Sequence, residues 1–145
     1  MKQTSKIKAM LAGKDLVPVS NLLINGMLDG AYCFYHESAK SDEDSCQFMN
    51  RIFNQFLCDE HITKAYQLCL IIHIPESRHS LYIKEFEELN NFIYILSTCT
   101  SKLSINWGLK TNPLTQKKDI NVLASESNKQ VTKTKVFNGY KENKQ

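Results

Sequence analysis

Apolar and polar positions repeat with two different periods along this chain, and the change of period divides it into elements. Within LSINWGLK, Leu103, Ile105, Trp107 and Leu109 point one way while Ser104, Asn106 and Lys110 point the other, with Gly108 between them. That is the two-residue repeat of a strand with one buried face. Residues 119–125 repeat it through Ile120, Val122 and Ala124. Turn-forming and polar residues separate the two runs, so the spacing predicts an antiparallel hairpin. Two compact apolar runs, AYCFY at 31–35 and YQLCLIIHI at 66–74, suit strands buried on both faces, the second stopped by Pro75.

Elsewhere the period is helical. Phe48/Met49, Ile52/Phe53 and Phe56/Leu57 form one wide apolar stripe, and the preceding SDED, from Ser41, predicts a cap with acids in the first turn. From Leu81 to Leu96, Ile83, Phe86, Leu89, Ile93 and Leu96 share a face, while Lys84, Glu85, Glu87 and Glu88 look outward. A short helix is expected from Ser20 or Asn21 through Leu22, Leu23, Met27 and Leu28, ended by Asp29-Gly30. Residues 1–14 are a weakly patterned basic segment, residues 15–126 the folded domain, and residues 127–145 a polar, basic tail expected to be disordered. The order is helix, then β-α-β-α-β-β. The fold class expected is α/β (α+β), a four-stranded mixed sheet with two amphipathic helices packed on it.

Composition narrows the function classes. With 42% apolar residues the chain has enough to build a core. Its longest wholly apolar run, Leu68 to Ile72, is far below the roughly 20 residues a membrane helix needs, and only Ala9 to Ala12 follow the early lysines. A soluble, cytoplasmic protein with no membrane partner is expected. The net charge of +3 belongs to the tail: residues 1–125 hold 13 Lys and Arg against 13 Asp and Glu, and the last twenty hold five Lys against two Glu. No basic face interleaved with aromatics remains to bind nucleic acid. Five cysteines without CxxC spacing suit buried free thiols better than disulfides or zinc.

Candidate chemistry is sparse. All five glycines (Gly13, Gly26, Gly30, Gly108, Gly139) are isolated, so no glycine-rich phosphate loop can be written. Cys58 and His61 are close enough in sequence to suggest a thiol–imidazole dyad, but a helix end with Cys58 packed inward and His61 solvated explains the same residues. His73 and His79 flank IPESR without the further ligands a metal site needs, and His73 among isoleucines is expected to be a hydrogen-bonded sheet histidine. Glu85, Glu87 and Glu88 fit a solvated helix face rather than an acid–base pair, and Trp107 fits core. No catalytic residue, cofactor or metal is expected.

Several segments resemble the C-terminal domain of FtsZ, the bacterial tubulin-like division protein. SINWGLKTNPLTQKKDINVLAS is similar to that family's last two strands, in which an apolar strand ending in a bulky residue plus glycine leads through a turn into an alternating strand. QFLCDEHITKAYQLCLIIHI resembles a helix end, a short loop and a buried strand of the family, and SLYIKEFEELNNFI its next helix. The resemblance covers roughly residues 15–125. In FtsZ a GTP-binding domain with a glycine-rich loop comes before this region. An acidic loop reaching the neighbouring subunit's nucleotide follows, and the matching stretch here, KDLVPVSN, offers Asp15 but no second carboxylate. The resemblance therefore implies a non-enzymatic module that binds FtsZ or another tubulin-like protein and caps its filaments. The implied contacts are Asp15, Val17, Pro18, Ser20 and Asn21 in that loop, Lys84, Glu87 and Glu88 on the long helix, and Asn112 and Pro113 in the turn. The alternatives are a small metabolite-binding or cysteine-dependent α/β domain, and half of a split or decayed FtsZ-like protein.

Overall fold

The computed structural model describes residues 2–99, 104–111 and 118–125. The predicted tail, and Asn112 and Pro113, lie outside the described residues. The elements in chain order are α1 (Lys2–Met10), β1 (Lys14–Val17), α2 (Asn21–Leu28), β2 (Tyr32–Ser38), α3 (Ser45–Leu57), α4 (Glu60–Thr63), β3 (Gln67–Ile74), α5 (Ile83–Cys99), β4 (Ser104–Thr111) and β5 (Asp119–Ser125). Among the described residues, five strands form one mixed sheet in the order β1-β4-β3-β5-β2.

This order corrects the predicted hairpin. β4 and β5 are not neighbours, because β3 lies between them, parallel to β4 from Gln67↔Ser104 to Ile74↔Thr111 and antiparallel to β5 from Gln67↔Ser125 to His73↔Asp119. The reason is burial. β3 is apolar on both faces and takes the centre, where both faces are covered. The connection from Thr111 to Asp119 need only step across two strand spacings, about 10 Å. Alternation shows which face of β4 and β5 is buried and does not specify their partners.

The expected four strands are five. β1 is an edge strand of four residues, antiparallel to β4 and irregular between Asp15 and Val17, too short to display a period of its own. Its fit requires glycine at two places. A Cβ on Gly108 would stand 2.7 Å from Val19 Cγ2 and 2.9 Å from the Val17 carbonyl, and Gly13 has φ +155° with the Thr111 carbonyl 2.7 Å from where a Cβ would sit.

The sheet divides two apolar layers. On one face, Leu68, Leu70, Ile72 and Ile74 of β3 pack with Phe48, Met49, Ile52, Phe53 and Phe56 of α3 and with Leu89, Phe92 and Leu96 of α5, where the Phe53 and Phe92 rings stack at 4.4 Å. On the other, Cys69 and Ile71 of β3 pack with Ile7 and Leu11 in and just after α1 and with Ile24, Met27 and Leu28 of α2. α1 was not among the predicted elements, since only its side carrying Ile7 is apolar enough to be buried.

α3 begins at Ser45 rather than Ser41. Asp44 is its cap: the Asp44 carboxylate accepts from Gln47 N at 2.9 Å and Gln47 Oε1 accepts from Asp44 N at 3.0 Å. This reciprocal pairing satisfies two donors that would otherwise lack partners at the helix start, and it outcompetes the earlier Ser41. Asp44→Ala should lower the unfolding free energy by about 1 kcal/mol in urea melts, with an unchanged m-value.

α5 is rotated relative to the expected stripe. Its buried seam is Glu85, Leu89, Phe92 and Leu96, while Ile83 is 78% exposed and Phe86 43% exposed. Eight apolar or aromatic residues lie between Ile83 and Leu96, more than one face can bury, and the sheet selects the set that includes Phe92.

Candidate functional site

Three features of the surface and its supports bear on function. The first lies where α5 meets the β1–β4 edge. Phe86 sets its ring edge-on to Trp107 of β4, centroids 5.7 Å apart. Leu16 and Val17 of β1, Ile105 and Trp107 of β4, and Leu81 and Ile93 are all partly buried against the α3–α5 core. Outward from them, Ile83, Phe86 and Tyr94 share the solvent side of α5, at a spacing of three to eleven residues that keeps them on one helix face. These side chains form an uncovered apolar row on that helix face.

The second feature is the N-terminal support of α5. Glu85 is fully buried, which corrects its expected place on a solvated face. Its Oε2 accepts from Arg78 Nη1 at 3.1 Å and from Lys118 Nζ at 2.6 Å, and its Oε1 accepts from Arg78 Nη2 at 2.5 Å and from the Tyr82 N–H at 2.7 Å. Burial by itself would raise this carboxyl, but the bonds from Arg78, Lys118, Ser45 and the Tyr82 N–H outweigh it and hold the group at about 2. Lys118 shows the opposite balance: burial pushes its ammonium down although Glu85 pulls it up. The Arg78 guanidinium also lies over the Tyr82 ring, 3.6 Å from its centroid.

The third is a polar layer at the carboxyl end of β3, on the α1 side of the sheet. His73, as expected for a hydrogen-bonded sheet histidine, places Nδ1 2.9 Å from Asp119 Oδ1 and donates from Nε2 to the Ala12 carbonyl at 2.8 Å. Lys110 Nζ donates to the Leu11 carbonyl at 2.7 Å. Two side chains of the sheet thus close the carbonyl end of α1, where positive charge is favoured. Asn121 joins the layer by donating to Asp119 at 3.0 Å and accepting from His36 Nδ1. The layer is structural: it ties α1 to the sheet.

The sequence-predicted contact residues are spread over β1, α2 and α5, on both faces of the sheet. Asp15 is half exposed on β1, 3.7 Å from Lys110 Nζ. Val17 ends β1 and is partly buried, Pro18 is exposed, and Ser20 caps α2 by accepting from Leu22 N and Leu23 N at 3.2 and 3.3 Å. Asn21 is exposed at the start of α2, beside Leu22, which is among the most exposed apolar residues described. On α5, Lys84 and Glu87 are exposed, and Glu88 accepts from Asn50 of α3 at 3.3 Å. β1 and α5 are therefore brought to one edge of the molecule through Trp107. Ile83, Phe86, Tyr94 and Leu22 were not among the predicted contacts. The surplus of apolar residues in α5 was the signal that could have found the three on that helix.

Cys58 caps α3 and is exposed rather than packed inward. All five cysteines are free, but only Cys33 and Cys69 are buried; Cys46 is intermediate and Cys99 exposed. Among the described residues no group of three or more His, Cys, Asp or Glu is placed to hold a metal ion, and no helix is long and apolar enough to cross a membrane.

A mixed sheet with β3 at its centre, α3 and α5 on one face and α2 on the other is similar in fold to part of solved FtsZ structures. Among solved structures, an FtsZ mutant from M. jannaschii matches with a TM-score of 0.51 and 16% identity, over 77% of this chain and 33% of that one. An empty FtsZ dimer from the same organism matches with a TM-score of 0.48 and 17% identity over 77% and 32%, and GDP-bound CetZ1 from Haloferax volcanii with 0.45 and 11% over 77% and 34%. The chain spans about a third of the length of these structures. No family model and no curated protein sequence matches it.

Proposed function

We propose that this chain is a non-enzymatic FtsZ-like interaction module, cytoplasmic, that docks on filaments of FtsZ or another tubulin-like protein and caps their growth during cell division. The observation that carries the reading is the solvent-facing apolar row Ile83, Phe86 and Tyr94 beside Trp107, on a domain with an FtsZ-like fold. A subunit that offers such a face can seat it against the next subunit of a tubulin-like filament. The carboxylates also fit a passive role. Asp15 is the one acid in KDLVPVSN, and it sits in a strand facing Lys110. That stretch holds no second acid to help activate water on a neighbour's nucleotide.

The test is sedimentation of purified FtsZ from the same cell with GTP, with and without this protein. Less polymer at substoichiometric ratios, together with co-sedimentation of the protein in the remaining pellet, is the expected result. Unchanged polymer mass with all of the protein in the supernatant at micromolar concentrations ends the reading.

A further inference from the structure

Independently of any docking face, a cleft of about 440 Å³ opens at the carboxyl ends of β2 and β3, where the chain leaves the sheet to enter α3 and α5. Lys40, Asp44, Ser45, Arg78, Tyr82 and Lys118 stand in its wall. The volume is in the range that holds small molecules. Crevices outside the carboxyl ends of strands are where α/β folds place their ligands. The N-termini of two long helices, of 13 and 17 residues, also meet here.

Charge decides what fits. Glu43 is already engaged twice by Arg51, at 2.6 and 2.8 Å, whereas Asp44 accepts from the Gln47 N–H and keeps its negative charge in the wall. In the buried group behind the wall, two cations, Arg78 and Lys118, share a single carboxylate, Glu85. Among the described residues, Arg51, Arg78 and Lys118 balance Glu43, Asp44 and Glu85 here, and Lys118 is only 7% exposed. An ammonium carries three donors, and the bond to Glu85 uses one of them. Lys40, at the rim, adds the one positive charge in excess. An anion entering the cleft would balance the surplus charge that Lys40 brings and take up donors of Lys118.

We infer that this cleft is a binding site for a small anion carrying a phosphate or carboxylate group, received by Lys118 and Lys40 between the first turns of α3 and α5. The full chain titrated with inorganic phosphate, and separately with acetate, and followed by amide NMR tests it. At least one of the two should give saturable shifts confined to the amides of residues 39–46, 78–85 and 118, along with a higher melting temperature. Sodium chloride at matched ionic strength should give neither. Lys40→Ala, at an exposed rim position that leaves the fold intact, should weaken binding about tenfold, as loss of one charged hydrogen bond does. Lys118→Met should abolish it, with the dispersion of the remaining spectrum confirming that the variant is folded. The inference is overturned if neither anion gives saturable shifts at tens of millimolar, if chloride reproduces them, or if Lys40→Ala binds as tightly as the parent. Filament sedimentation is not expected to respond to any of these outcomes.

Discussion

Glu85→Gln should remove about 3–5 kcal/mol of stability, the largest loss expected from any single polar substitution in this domain. The carboxylate is fully buried and is the shared acceptor for Arg78, Lys118 and the Tyr82 N–H. An amide keeps its shape but takes away the negative charge, leaving two cations facing each other out of water. Against the 5–15 kcal/mol typical of a whole domain, that is enough to bring the variant near its unfolding midpoint at room temperature. Urea melts followed by the fluorescence of Trp107 would measure it. The pH dependence carries the same signature. Glu85 titrates at about 2 in the folded chain, below the roughly 4.3 of an exposed glutamate, so the folded state favours the ionised form. Its contribution is complete above that unfolded value and is lost as pH falls from there toward 2. The parent's stability should therefore fall through that window more steeply than the variant's. Removing Lys118 as well, in Glu85→Gln/Lys118→Met, should recover part of the loss, because one of the stranded charges goes with it. Additive losses from the two substitutions would show that the pair is not coupled.

This node also shows where reading the sequence succeeds and where it stops. The strands at 31–35 and 66–74, the long amphipathic helices and the alternating segments near 105 and 122 were legible, because each buries a face large enough to impose its period. The sheet order was not legible. Nothing in β4 or β5 announces that β3 will insert between them, since that depends on which strand is apolar on both sides once all are present. Glu85 was assigned to solvent because a glutamate flanked by Lys84 and Glu87 looks like a charged face. Its burial depends on Arg78, seven residues earlier, and Lys118, thirty-three later, and both meet it only through the fold. The α3 cap failed differently. Asp44 and Gln47 stand at capping-box spacing in the sequence itself, and the earlier Ser41 obscured them. His73 was the converse case, where a lone histidine among isoleucines could be assigned to a hydrogen-bonded sheet position from its neighbours alone. Of the surface we propose for docking, Asp15 and Lys84 were singled out from the sequence. The apolar half was hidden by assigning Ile83 and Phe86 to the core.

Ile83→Glu/Tyr94→Glu is expected to abolish co-sedimentation with FtsZ while leaving the fold in place. Both side chains are mostly solvent-facing, at 78% and 68% exposure, so replacing them removes little packing, and the melting midpoint should move by no more than the roughly 0.5 kcal/mol of ordinary surface changes. In a complex the same positions would lie under a partner. Two carboxylates trapped there lose water without gaining a counter-charge, and hot-spot positions of this kind cost 2 kcal/mol or more each, about a thousandfold together. Phe86 is left unchanged so that its contact with Trp107, which anchors α5 to the β1–β4 edge, is preserved. A matched pair on the polar side, Lys84→Glu/Glu87→Lys, separates the two halves of the surface: it conserves net charge and should alter the salt dependence and association rate more than the final affinity. If the glutamate pair at 83 and 94 sediments with FtsZ as the parent does, the apolar row is not the contact. If the charge swap abolishes binding while the glutamate pair does not, the polar face of α5 is the contact and the apolar row is excluded from it.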